Sequence, residues 1–335
     1  MQTLFYPDYG VLRYEERPEP TPAPDEVIVQ VAACGLCGSE LETFFGRSPR
    51  RTPPRIMGHE FCGTIVARGA DVSDWAVGDR VVSHSLVPCA VCVRCRRGDT
   101  HLCADRQIFG MHREGAFAER VAVPARVLMP WPENLPAEAA CLAEPLANGV
   151  HMVHLTERIA PKTVLIVGAG PIGLMTLLAF RAMTDASVFV SDLSEERLDV
   201  ARRLGAAHVF DPRHTDVVQA VRDLTDGEGA DVVIDAVGSR HTKGPAVAAT
   251  RPGGACVWIG LHDDRIELDT YAVTLPERHV LGTYAATQPE LAEALALMAS
   301  GLDVTSWTTV FPLSDGVEAF RQMHAAEGIK AVLVP

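Results

Sequence analysis

One stretch constrains this chain more than any other: Val164-Leu-Ile-Val-Gly168-Ala-Gly170-Pro171-Ile172-Gly173. An apolar, β-branched run ends on a glycine, and an apolar helical pattern begins after Gly173. From Thr163 to Phe180 no residue is charged, so a membrane span has to be weighed. Three glycines and a proline in close succession argue against one continuous bilayer helix. A buried strand, a tight glycine turn and a buried helix explain the stretch better. In that arrangement Gly168 permits the turn, Gly170 lets the backbone approach a pyrophosphate, and Gly173 lets the helix pack closely on the strand. The helix N-terminus then offers free N–H groups to phosphates. A bare G-x-G-x-x-G is weak, but here the strand and helix flank it and Asp192 ends the next strand. An acid at that point accepts hydrogen bonds from an adenosine ribose and repels a 2′-phosphate. The expected cofactor is therefore NAD rather than NADP.

The rest of the chain divides around this feature. From Ala160 onward strand-like runs alternate with helical patterns: Val164–Val167, Val188–Ser191, His208–Phe210, Val232–Asp235, Ala255–Ile259 and Val280–Gly282. One helix, Glu195 to Leu204, stops at Gly205. Such alternation predicts a doubly wound parallel sheet. The first 130 or so residues read differently. Val27–Val31 follows the extended run PEPTPAP, and Phe61–Ala67, Asp79–Val82 and Phe117–Val123 are further strand signals beside turn formers. They predict a β-rich barrel or sandwich. The pattern changes near Glu144. After Tyr284 come a helix, Pro289–Ala299, and a tail with strands near Thr309–Phe311 and Ala331–Val334. A length of 335 residues suits two domains.

Charge and composition exclude several classes of function. With 30 basic and 43 acidic residues the net charge is −13, which disfavours nucleic acid and anionic membranes as partners. A hydrophobic fraction of 47% excludes bulk disorder. The start, MQTLFYPDYG, lacks the basic and apolar regions of a signal peptide, so a cytoplasmic location is expected.

Four of the nine cysteines, Cys89, Cys92, Cys95 and Cys103, form C-x2-C-x2-C-x7-C. Four thiolates in one short loop can surround a tetrahedral Zn²⁺ and leave no open position, which describes a structural site. A second group is dispersed over Gly35-Leu-Cys37-Gly-Ser39-Glu40, Gly58-His59-Glu60 and Glu144-Pro145. Singly, a cysteine or histidine is more often an ordinary core residue. Together, Cys37, His59 and a carboxylate would supply a catalytic zinc with three protein ligands and one open position. Spacing alone does not show that they converge.

These segments resemble the zinc-containing medium-chain dehydrogenases. GLCGSE, GHEFCGTIVARGADVSDWAVGDRV, the Cys89–Cys103 lobe, GAFAERVAVP, EPLANGVH and VLIVGAGPIG occur in that family's order, over nearly the whole chain. Glu144-Pro145-Leu146 is nearer the polyol, sugar-phosphate and threonine branch than the simple alcohol dehydrogenases. The resemblance implies a GroES-like β-rich catalytic domain, 1–148 and 285–335, with a zinc lobe at about 86–105. A Rossmann domain, 149–284, is inserted into it, and substrate binds in the cleft between them. It implies two zincs per chain. Cys37 and His59 are catalytic-zinc ligands, and Glu60 and Glu144 are carboxylates that bind the ion or exchange with its water. Ser39 lies where the family has a hydroxyl near that water. Arg197 falls on the adenosine side of NAD, and Val237, Ile259 and Gly260 near the nicotinamide. The implied activity is hydride transfer between a secondary alcohol of polyol, sugar-alcohol or sugar-phosphate type and NAD, in a homodimer or homotetramer joined near Val280. The alternatives are an amino-alcohol substrate such as threonine, or a non-catalytic, zinc-free type of relative, which typically lacks the Cys37/His59 pair and the cysteine lobe. The chain departs from the family at Glu40, often Asp, and at Glu42, where many members carry His. Cys34, Cys62, Cys141 and Cys256 match no ligand position and read as buried core. His112, Arg113 and Glu114 read as a solvated loop or as cleft residues.

Overall fold

A computed structural model describes residues 1–46 and 50–335. Its contacts divide the chain into two units, Met1–Glu144 with Thr287–Pro335, and Pro145–Ala286. The sequence expectation put these boundaries at 148 and 284.

The first unit is β-rich. Its main sheet runs Leu128–Pro130, Arg80–Ser83, Glu60–Arg68, Glu26–Gly35, Lys330–Val334 and Thr308–Pro312, and Arg120–Pro124 also pairs with Glu26–Gly35. All these pairings are antiparallel except Thr308–Pro312 with Lys330–Val334. Two registers place the site described below. Gly35 lies opposite Glu60, and on its other side opposite Val332. The end of the chain thus pairs with the strand that leads into Cys37. A contiguous core including Leu4, Tyr6, Val29, Phe61, Phe117 and Phe320 fills the interior.

The strand expected over Phe117–Val123 is Arg120–Pro124. Phe117 instead donates its N–H to Met57 O at 2.9 Å and accepts Leu4 N–H at 2.8 Å. It serves two separate segments, so its backbone groups are satisfied without joining one ladder.

The second unit is a six-stranded parallel sheet. Its order is His208–Phe210, Ser187–Ser191, Thr163–Val167, Ala230–Asp235, Thr250–Trp258 and His279–Gly282. In strand numbers this is 3-2-1-4-5-6, the doubly wound Rossmann order. The uncharged stretch Thr163–Phe180 is resolved into a strand, Thr163–Val167, and the start of a helix, Pro171–Met183. Among the described residues no helix is long and apolar enough to cross a membrane.

Candidate active site

Cys37 is the N-cap of the helix Gly38–Phe44, with extended backbone angles. The third residue of that helix, Glu40, reaches back and accepts the Cys37 N–H on Oε2 at 2.8 Å. Its other oxygen, Oε1, lies 2.6 Å from His59 Nδ1. One carboxylate therefore ties together two segments nineteen positions or more apart, and leaves Nε2 as the other ring nitrogen of His59. Glu40 is fully buried. Burial alone would raise its carboxyl, but His59, Arg51 and the Cys37 N–H outweigh that and hold it down to about 2. Burial likewise opposes charge on His59, yet Glu40 and Cys37 hold its pKa well above the usual histidine range.

Glu60 opens the next strand and is buried too. A Cβ on Gly35, its register partner, would lie 2.1 Å from Glu60 Oε2. Only glycine lets that carboxylate occupy the space. Lys330 donates to Glu60 Oε2 and, at 2.9 Å, to the Leu36 carbonyl. Both partners are almost fully buried, at 1% and 2% side-chain exposure. Burying two unpaired charges costs several kcal/mol each, so the pair stays buried only because each answers the other.

Donor atoms of Cys37, His59 and Glu60 lie within 4.8 Å of one another. A thiol, an imidazole and a carboxylate form a mixed set that suits zinc with an open fourth position. Glu144 stands beside this group, in the helix Ala143–Thr156. Burial raises its carboxyl, with the charge of Glu60 adding and His59 and Ser85 opposing. The grouped donor set does not include it. Ser39 occupies the first turn of the Cys37 helix and is partly exposed.

The four lobe cysteines are grouped in the same way. Sulfur separations are 3.5 Å for Cys92–Cys95, 3.9 Å for Cys92–Cys103 and 4.0 Å for Cys89–Cys95. A tetrahedron with Zn–S bonds near 2.3 Å has edges of about 3.8 Å, so the spacing fits the ion. Cys103 Sγ accepts the Cys89 N–H at 3.3 Å, and Cys89 Sγ the Cys92 N–H at 3.4 Å. All nine cysteines are free, and Cys34, Cys62, Cys141 and Cys256 are buried.

In the second unit the glycine turn is tightly packed at one glycine and open at another. A Cβ on Gly173 would sit 1.8 Å from the Gly168 carbonyl, which shows how closely the helix packs. A Cβ on Gly170 would find its nearest neighbour, Arg197 Nη1, 4.0 Å away. Packing does not require glycine at 170; the bare backbone leaves room for a ligand. Asp192 accepts Ala169 N–H at 2.7 Å and Ser194 N–H at 2.8 Å, which fixes its carboxylate beside the turn. Asp235 organises the other strand ends. Its Oδ1 accepts the N–H groups of Val237 and Gly238, and its carbonyl accepts those of Ile259 and Gly260.

Sequence reasoning missed four site-supporting residues: Arg51, Lys330 and Asp235 altogether, and Glu40 except as a departure from pattern. His112, Arg113 and Glu114 brace their own surroundings: Glu114 accepts Ile56 N–H at 2.6 Å, Arg113 pairs with Glu26, and His112 accepts Ile108 N–H at 3.1 Å.

Comparison with known proteins gives two family matches: the alcohol dehydrogenase GroES-like domain over residues 23–133, and zinc-binding dehydrogenase over 171–300. L-threonine 3-dehydrogenase of Pyrococcus furiosus is 38% identical over 78% of this chain and 76% of its own. A Sinorhizobium meliloti 1021 protein named as a zinc-binding dehydrogenase, bound to NADP, superposes with TM-score 0.93 at 30% identity, covering 100% of this chain and 99% of its own. Galactitol-1-phosphate dehydrogenase of Escherichia coli superposes with TM-score 0.93 at 28% identity, covering 100% of both chains.

Proposed function

The chain belongs to the zinc-type alcohol dehydrogenase family, and from that premise we propose that it oxidises a small secondary alcohol carrying a neighbouring polar group, with NAD as acceptor. The observation that carries this reading is the convergence of Cys37, His59 and Glu60 within 4.8 Å. L-threonine and galactitol 1-phosphate, named by two relatives, are both molecules of that description. A polyol or sugar phosphate is the first reading. The threonine-named relatives, which match this chain at higher identity, favour an amino alcohol as the second.

Cys37, His59 and Glu60 would hold the catalytic ion, and the four lobe cysteines a structural one. A bound zinc supplies Lewis acidity to the substrate hydroxyl, and a bound nicotinamide the place for the hydride. The protein does the rest. Glu40 fixes the His59 ring, Lys330 holds one oxygen of Glu60, and Ser39 would take a proton toward solvent. Glu144 would bind the ion or exchange with its water. Gly168, Gly170, Pro171, Ile172 and Gly173 would receive the pyrophosphate. Arg197 and Asp192 would take the adenosine side, and Val237, Ile259 and Gly260 the nicotinamide side. Asp192 supports NAD over NADP, since its fixed carboxylate would face a 2′-phosphate; the NADP-bound relative makes this a direct question. Reduced thiols suit a cytoplasmic location. The edge strand His279–Gly282 supports a homodimer or homotetramer.

Purified protein should contain two zincs per chain and reduce NAD with members of a panel spanning L-threonine, hexitols, hexitol phosphates and simple secondary alcohols. No turnover with any of them, in protein holding both ions, would overturn the reading. Glu144→Gln with unchanged zinc content and near-normal kcat, against a large loss in Glu60→Gln, would make Glu60 the sole carboxylate ligand.

A further inference from the structure

Among the described residues Arg51 is the largest side chain that the fold buries, at 1% exposure. Its Nη1 donates to the Ser39 carbonyl at 2.9 Å and to Thr43 Oγ1 at 3.2 Å, both on the helix that begins at Cys37. Its Nη2 lies 3.6 Å from Glu40 Oε1, the oxygen that His59 Nδ1 also meets. Among the described residues its Nε has no hydrogen-bond partner. A buried guanidinium with an unmatched donor is a poor way merely to stabilise a seven-residue helix; apolar packing would do so at lower cost. The charge is explained by the carboxylate it faces.

Glu40 carries three rotatable side-chain torsions, yet it must meet Cys37 N–H with one oxygen and His59 with the other. A carboxylate that long holds such a position only if something fixes its far side. We propose that Arg51 is a positioning residue for the catalytic metal: its planar fork locks Glu40 to the Cys37 helix, so that Cys37 and His59 present their donor atoms together. Arg51 touches neither donor. It acts through Glu40, and its reach to helix backbone and carboxylate at once requires two nitrogens in a fixed plane, which lysine lacks. This inference rests on the reading of Cys37, His59 and Glu60 as a metal site.

The test uses the full-length protein loaded with zinc, and the same protein carrying cobalt at the catalytic position. Residues that orient metal ligands typically contribute 10–100-fold in affinity or activity. Arg51→Met should release the catalytic ion to a chelator at least about tenfold more readily, shift the cobalt d–d band, and lower kcat, while KM for NAD and retention of the lobe ion stay as in the parent. Arg51→Lys should show the same selective change to a smaller extent. A general structural role would loosen both ions and the nicotinamide site together. Wild-type affinity and an unshifted cobalt band in folded Arg51→Met would overturn the proposal. If that variant does not fold, unchanged catalytic-ion affinity in Arg51→Lys overturns it equally. His59→Ala is the control for the underlying reading: should that protein keep both zincs, the metal assignment fails and not merely the role of Arg51.

Discussion

The two cysteine-containing clusters of the first unit are built on opposite plans. The lobe takes all four donors from Cys89 to Cys103, three of them partly exposed, and the chain's own N–H groups are the neighbours of its sulfurs. The cluster at Cys37 takes one donor from a helix cap and two from a strand entry. It then surrounds them with Glu40, Arg51 and Lys330, all buried. The first is a property of a sequence segment. The second is a property of the sheet, because it requires the pairing of Gly35 with Glu60 on one side and with Val332 of the strand Lys330–Val334 on the other. A closed local site can stabilise a loop with little help. A site that must exchange a ligand needs charges that keep its donors in place when the ligand leaves.

The strongest way to break this contrast is to delete one donor from each. His59→Ala should cut kcat by about a thousandfold or more, since the lost Lewis acidity is worth several kcal/mol, while the protein still folds and binds NAD. Cys103→Ser should instead lose the lobe ion and with it stability, because metal binding at such sites is folding free energy. A Cys103→Ser protein with full metal content and fold but no turnover would erase the distinction.

Next comes Lys330→Met. Removing one partner of a buried pair leaves the other unanswered, at a cost of about 3–5 kcal/mol. A zinc ion near Glu60 would partly replace the lost charge, so the metal-free protein should lose more stability than the loaded one. Chelator-treated and zinc-loaded samples compared by calorimetry decide this, and equal losses would mean that the ion and Lys330 do not share the carboxylate.

Asp192→Ala extends the comparison to the second unit, where the supports are backbone N–H groups. Hydrogen bonds to a charged group contribute about 1.5–3 kcal/mol, so the NAD-over-NADP ratio of kcat/KM should fall by about tenfold or more. A ratio that does not move removes Asp192 from cofactor selection.

The smallest effect belongs to an exposed pair. Arg240 holds the Asp263 carboxyl down to about 2, from 3.8. A lowered pKa gives stability that is present above 3.8 and lost as pH falls toward 2. Arg240→Ala should lower Tm at pH 7 by about 1 °C or less, with the difference vanishing near pH 2. A loss as large as that in Lys330→Met would show that burial is not what separates the two pairs.

Much of this was legible in sequence, unevenly and for physical reasons. The lobe could be read because its spacing is contained in one loop. The strand, glycine turn and helix at 163–183 could be read because each glycine has a local steric reason. Lys330 could not be, since it opens an apolar strand, KAVLV, and only the pairing of that strand with Glu26–Gly35 brings it to Glu60. Arg51 follows a stretch with no periodic signal. Glu40 was visible as an acid, but its bond to His59 depends on a register that no local pattern encodes. Phe117 is a strand-favouring aromatic just ahead of the Val121–Val123 run, but its N–H and C=O serve separate partners.

The pairing of Lys330 with Glu60 also sets an order in time. The two lie 270 positions apart, and the ribosome delivers the carboxylate long before its counter-charge. During synthesis the cysteine lobe has all its donors once Cys103 has emerged, and the nucleotide-binding unit can fold next. The centre at Cys37 waits for Lys330, 270 positions after Glu60, so the lobe and the second unit can be folded while this centre is still incomplete.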